Sequence, residues 1–243
     1  MSLRRPRSLS PLSIYVLCPL LLLLLGPGEG LAQPLGAFQS GNARLLTTDA
    51  ASVIEHPVLG LQRSAIPVAA GFAVDTSLYA DLLLAPNVGL RWAKALGSQR
   101  LVLGARYTHF VGASVYSAVV EAQEPAVQRF EPTLSGPTLY GAYGLTLGPL
   151  LVQGEARFAY FETSYLSLTG AAALHLSGPW VLIAEVGARI KGGSALRAAA
   201  GVRYGGERFG MALGAAYVDL SDPVFANGGL PVSPVLDFSW TFR

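Results

Sequence analysis

The charged side chains of this 243-residue chain are few, and they fall at alternate positions of apolar runs. Gln153, Glu155 and Arg157 alternate with Val152, Gly154, Ala156 and Phe158. Glu185, Arg189 and Lys191 alternate with Ala184, Val186, Ala188 and Ile190, and Arg197 and Arg203 alternate with Leu196, Ala198, Val202 and Tyr204. With Arg91, Arg106, His175 and Asp237 they make a candidate polar face, and two kinds of chemistry suit it. One is a set of cross-strand ion pairs, which offsets the cost of desolvating charge in a narrow interior. The expected pairings are Glu155 and Arg157 with His175, and Glu185 with Arg197 or Arg203. The other is a cationic lining for small solutes, since Arg91, Arg106, Arg157, Arg189, Arg197 and Arg203 outnumber the carboxylates. His56, His109 and His175 have no metal-ligand spacing. No catalytic, cofactor or metal residue is assigned, and the chain reads as a non-enzyme.

Residues that alternate in this way must sit on strands with one apolar face. Trp180, Leu182, Ala184, Val186, Ala188 and Ile190 keep a period of two over a length that spans a bilayer, as do Leu236, Phe238, Trp240 and Phe242 at the C-terminus. Repetition of such segments predicts an all-β fold, a transmembrane antiparallel up-and-down β-barrel. Ten strands are read at 66–75, 80–95, 100–117, 134–147, 150–161, 165–177, 180–191, 195–204, 209–220 and 234–242, with eight or twelve as the neighbouring counts. Gly97-Ser98-Gln99, Gly148-Pro149, Ser177-Gly178-Pro179, Gly192-Gly193-Ser194 and Gly205-Gly206-Glu207 carry turn chemistry between them. If the first strand runs outward, the connections 96–99, 148–149, 178–179 and 205–208 are short inner turns, and 118–133 and 221–233 are long outer loops. Aromatic residues near strand ends, Trp92, Tyr107, Phe158, Tyr160, Trp180, Tyr204, Phe209, Tyr217, Trp240 and Phe242, read as interfacial anchors.

Composition agrees with a lipid-facing surface. The chain is 51% hydrophobic and only 13% charged, against about 25% charged in an ordinary soluble domain. That balance excludes disorder, a coiled coil and a typical cytosolic enzyme. Residues 1–32 read as a signal peptide: Arg4, Arg5 and Arg7 precede an apolar run from Leu12 to Leu25, and Gly30-Leu31-Ala32 supplies small residues for cleavage. The only cysteine, Cys18, lies in that segment behind Leu17, which does not suit lipidation, so no disulfide or thiolate site is expected beyond it. Cleavage removes three arginines and one glutamate, so the net charge of +2 falls to zero and gives no support to nucleic-acid binding. A soluble β-sandwich is the competing architecture. It would place charge on most outward faces, whereas here those faces are apolar and 25 of the 28 glycines lie beyond residue 32. Residues 33–65 show no clear period and read as a periplasmic lead-in or a plug, leaving 66–243 as the barrel.

The closing residues Leu236-Asp237-Phe238-Ser239-Trp240-Thr241-Phe242-Arg243 resemble the C-terminal β-signal read by the outer-membrane barrel assembly machinery, with Phe242 penultimate where that signal ends on its aromatic. The resemblance implies a Gram-negative outer-membrane protein whose partners are outer-membrane lipid and, during biogenesis, that machinery; oligomeric state stays open. Asp49-Ala50-Ala51-Ser52-Val53-Ile54-Glu55-His56-Pro57-Val58-Leu59-Gly60-Leu61 is similar to the stretch before the first strand of long-chain fatty-acid (FadL-like) transporters, with His56 and Val58 in place of Asn and Ala. The chain is too short for that family's barrel, so its transport is not carried over. His175-Leu176-Ser177 is similar to the His-x-Ser element of outer-membrane lipid A deacylases, but it falls at an inner turn. Omptin proteases, also ten-stranded, place acidic and His groups at the outer rim, where Asp219 and Asp222 stand, with His109 deeper. The expectation is a narrow channel or passive transporter for small solutes in the outer membrane. The alternative is a structural or surface-interaction barrel with a filled lumen.

Overall fold

The computed structural model describes residues 44–82, 84–111, 135–161, 163–191, 195–206, 208–218 and 232–243. The signal-peptide assignment, Cys18, residues 33–43, nearly all of the two outer loops, Asp219 and Asp222 lie outside them.

Twelve strands, β1 (Val58–Gly60), β2 (Ser64–Ala69), β3 (Phe72–Thr76), β4 (Asn87–Leu96), β5 (Gln99–Thr108), β6 (Gly136–Leu147), β7 (Leu150–Phe161), β8 (Thr163–Ser177), β9 (Trp180–Lys191), β10 (Ala195–Gly205), β11 (Phe209–Val218) and β12 (Val232–Thr241), form a closed barrel. Every strand pairs antiparallel with its sequence neighbours, and β1 closes the ring against β12 through Val58↔Thr241, Leu59↔Trp240 and Gly60↔Ser239. One short helix, α1 (Leu78–Leu82), lies between β3 and β4.

The count is twelve where the sequence pattern reads ten, and both extra strands have a physical origin. The run read as one strand at 66–75 is broken at Ala70-Gly71, which take φ of 45° and 85° and fold the chain back as the β2–β3 hairpin. No polar residue marks that turn, so alternation alone runs through it. A Cβ on Gly71 would lie 2.2 Å from the Ala93 carbonyl oxygen, so only glycine fits there. The other addition, β1, is three residues long, too short to show a period, and it starts the barrel ahead of residue 66. The strand read at 80–95 begins instead as α1 and becomes β4 at Asn87, and that read at 100–117 ends as β5 at Thr108.

One end of the barrel carries the turns 70–71, 97–98, 148–149, 178–179 and 206–208 together with the start of β1 and the end of β12. Thr76 and Asn87, Thr108 and Gly136, and Val218 and Val232, the strand ends that bound the longer connections, lie at the other end. The outer surface is apolar all round: Ile66, Val74, Leu90, Leu103, Leu139, Leu168, Leu182, Val186, Leu213 and Leu236 are exposed mid-strand. Trp180, Tyr204, Phe209, Trp240 and Phe242 ring the short-turn end, with Trp180 and Tyr204 edge to face at 5.4 Å. Tyr107, Phe158, Tyr160 and Tyr217 lie toward the long-connection end, and Trp92 sits outside the wall beside Phe72.

Candidate functional site: a plugged lumen and an arginine-lined cavity

Residues 44–56 lie inside the barrel. They arch up from the short-turn end and return to Pro57, whose carbonyl accepts the Phe242 N–H at 2.9 Å. Their internal order is slight: a tight turn in which Leu45 N–H donates to the Thr48 carbonyl at 3.0 Å, a bridge between Arg44 and Asp49, and a Ser52 N–H to Ala50 carbonyl bond at 2.8 Å. A segment with so little secondary structure must satisfy its buried backbone elsewhere, and here the polar side chains of the wall do so. Glu185 accepts the N–H groups of Leu46 at 2.8 Å and Thr47 at 2.9 Å and the hydroxyls of Thr47 and Thr48. Glu155 accepts the Asp49 N–H at 2.8 Å, and Gln153 accepts that of Ala51 at 2.7 Å. Arginines serve the carbonyls: Arg91 donates to Ala50 at 2.9 Å, and Arg203 donates to Arg44 and, at 2.6 Å, to Leu45. Leu45 and Leu46 pack on Leu151, Val181 and Ile183, and Ala51 on Ala93, Val102 and Ala142. Burial of each leucine is worth about 2 kcal/mol.

A chain of alternating charges crosses the lumen through the plug. Arg106 pairs with Asp75 at 2.7 Å, Asp75 with Arg63 at 3.3 Å, Arg63 with Asp49, Asp49 with Arg157 at 3.0 Å and Arg157 with Glu155 at 2.9 Å. Asp49 is the plug's contribution and is fully buried. Burial alone would push its carboxyl up, but Arg63, Arg157 and Arg44 outweigh this and hold it well below the usual carboxylate range. Tyr140 supports both cations: its ring lies 5.7 Å from the Arg63 guanidinium and 5.6 Å from that of Arg157, and its hydroxyl accepts from Arg63 at 3.2 Å. The ring occupies the space that any Cβ on its cross-strand partner Gly104 would need, at 2.2 Å.

Register explains the convergence. Arg91 pairs with Gly104, Gly104 with Tyr140, Tyr140 with Arg157, Arg157 with Ser167 and Ser167 with Arg189. One row across six strands thus brings Arg91, Tyr140, Arg157 and Arg189 to one level of the barrel. Beyond the plug, toward the long-connection end, Tyr140, Arg157 and Arg189 border a cavity of about 340 Å³ whose charged lining is Arg63, Arg106, Arg157, Arg189 and Arg197 against Asp49. A smaller recess of about 140 Å³ beside it is floored by Thr47 and Thr48 and walled by Glu155, Glu185 and Arg197. Arg189 stacks on Tyr165 at 4.7 Å.

One expected pairing is corrected. His175 is not beside Glu155 and Arg157: those residues pair with Thr169 and Ser167, and His175 lies at the β8–β9 turn, its Nε2 2.6 Å from the Gly178 carbonyl. Glu185 stands opposite Ala199, two positions from Arg197, with which it walls the smaller recess, and its carboxylate also accepts from the backbone and hydroxyls of the plug. Asp237 is buried and accepts the Gln62 N–H at 2.9 Å; Lys191 is exposed at the rim. His109 lies near the other rim, 3.4 Å from Ser135. Among the described residues no group of His, Cys, Asp and Glu is arranged to hold a metal ion. Asp49, Arg63, Asp75 and Tyr140 are the members of the site that the sequence pattern did not single out. Asp49 and Arg63 lie in the aperiodic lead, where strand parity says nothing about direction.

No protein-family model and no curated protein matches the chain. Among solved structures it is similar to the KdgM porin, with a TM-score of 0.49 at 9% identity over 77% of this chain and 97% of that one. It is also similar to OmpT, an outer-membrane protein of Vibrio cholerae, with a TM-score of 0.41 at 11% identity over 74% of this chain and 64% of that one. A porin refined at 1.8 Å gives a TM-score of 0.36 at 12% identity over 74% of this chain and 60% of that one.

Proposed function

We propose that the protein is an outer-membrane barrel acting as a narrow channel or passive transporter for small solutes, and that the plug over residues 44–56 holds it closed. The membrane reading is supported by the continuous apolar exterior with aromatic residues toward both ends, a surface that water would penalise on every strand. Among the described residues no helix is long and apolar enough to cross a bilayer. Outer-membrane lipid is then its surroundings, the short-turn end faces the periplasm, and β12, with Leu236, Phe238 and Trp240 on one face, is the strand offered to the barrel assembly machinery.

The observation that carries the channel reading is the asymmetry of the lumen. It is filled from one end by a segment of irregular backbone, and on the far side of that segment lies an arginine-lined cavity. A barrel built only as a scaffold has no use for five guanidinium groups around an unfilled space, because such charge is costly to desolvate. Planar-bilayer recording of the refolded protein tests this. The full chain should be silent or conduct rarely, and a Glu155→Ala/Glu185→Ala double variant, which loses the acceptors for the plug, should give stable steps selective for anions.

The alternative of a filled barrel without transport draws on the density of plug docking, in which Gln153, Glu155, Glu185, Arg91 and Arg203 all hold the same short segment. Silence of both proteins in the bilayer favours it.

A further inference from the structure

The carboxylate of Asp49 sits where a bound anion would sit. It lies between Arg63 and Arg157, both backed by Tyr140, and it borders the cavity of about 340 Å³ that Arg106, Arg189 and Arg197 also line. Among the described residues it is the only acid of the cavity's charged lining, and it comes from the plug; the cations come from the wall and from the β1–β2 connection. The site is therefore a carboxylate-binding site made by the barrel and occupied by the plug's own side chain.

We infer that the channel's ligand is a small solute carrying two or more carboxylates, and that it binds by displacing Asp49 and so undocks the plug. One carboxylate would take the place of the Asp49 group between Arg63 and Arg157, where paired guanidinium donors suit a planar acceptor. A second would face Arg189 and Arg197, which line the same cavity from β9 and β10. A monocarboxylate would compete poorly, since Asp49 is tethered and its effective concentration is high. The cavity volume limits the ligand to a small metabolite-sized molecule. Asp49 pairs with both Arg63 and Arg157, so its release removes that ionic hold, and the Glu185 and Glu155 carboxylates stay in the wall to reseat the segment when the ligand leaves. The undocking consequence rests on the channel reading above; the binding does not.

Calorimetric titration of the refolded protein in detergent with citrate as probe tests the site directly. Citrate should bind, should raise hydrogen exchange at the amides of Leu46, Asp49 and Ala51, and should bind at least about tenfold more tightly to Asp49→Asn, in which the internal competitor has lost its charge. Arg189→Gln, at a residue stacked on Tyr165 in the cavity wall, should bind citrate about tenfold more weakly. Retention of heat-modifiable mobility on gels confirms that each variant is folded. Absence of binding to both the parent protein and Asp49→Asn, equal affinity of the two, or equal binding of the uncharged triethyl ester overturns the proposal. Citrate binding with this pattern in a protein that stays silent in bilayers supports the site and removes the channel reading alone.

Discussion

The Glu185 carboxylate takes two hydrogen bonds from one plug residue, Thr47: the backbone N–H at 2.9 Å and the side-chain hydroxyl. Leu46 and Thr48 donate to its other oxygen, so one wall residue gathers the whole apex of the arch. Glu185→Ala should cost the docked state about 2 kcal/mol, the value of charge-assisted hydrogen bonds lost from a buried site. Hydrogen exchange at residues 46–48 should then quicken roughly thirtyfold. Unchanged exchange there would mean that the apex is held by packing alone.

Asp49 gives the plug a distinct acid response. Its carboxyl is held below the ordinary aspartate value of 3.8, so its contribution is fully present above that value and is lost as pH falls below it. The difference in plug amide protection between the protein and Asp49→Asn, which isolates the Asp49 contribution, should be the same at about pH 7 and about pH 5, and should shrink only in stronger acid, when the proton reaches Asp49 and leaves Arg63 and Arg157 opposed. Loss of that difference already near neutrality would contradict the pairing.

Val186 stands mid-way along β9 on the outer face. Val186→Arg should destabilise the protein in lipid by about 2–4 kcal/mol, the cost of a cation at the bilayer midplane of a barrel. Denaturant-driven unfolding into and out of vesicles measures it. On a water-facing strand the same change would stay within about 0.5 kcal/mol.

The β2–β3 turn tests the strand count. Gly71→Val places a branched side chain at φ +85° and against the Ala93 carbonyl, and should cost at least about 1–2 kcal/mol. The unfolding midpoint should drop accordingly. A neutral substitution would indicate that 66–75 runs on as one strand.

Eight of the twelve strands, β5 to β12, were legible because each keeps an alternation long enough to fix its inward parity, and Glu155, Glu185, Arg189 and Arg203 were placed on the inner face by that parity alone. Parity does not give register. His175 and Arg157 share a face but stand eight residues apart along adjoining strands in the ladder that pairs Arg157 with Ser167. Nor does parity tell which donors a buried carboxylate serves: Glu185 reads as half of an ion pair, and it accepts from amides 137 to 139 residues away. Asp49 and Arg63 were hidden for the complementary reason. Their segment has no period, so nothing in the order of residues announces that two of its charges meet in the middle of the lumen.

The line of charges from Arg106 through Asp75, Arg63, Asp49 and Arg157 to Glu155 runs from the β3–β5 side of the wall to β7. Mechanically it is a spoke. A closed ring of strands is stiff along each strand but yields easily when squeezed toward an oval, and only a strut across the interior opposes that. Here the strut has one removable link, Asp49, supplied by the plug. Seating the plug therefore sets the cross-section of the barrel as well as its contents, and a lateral squeeze from the surrounding membrane is transmitted to the same carboxylate that holds the lumen shut.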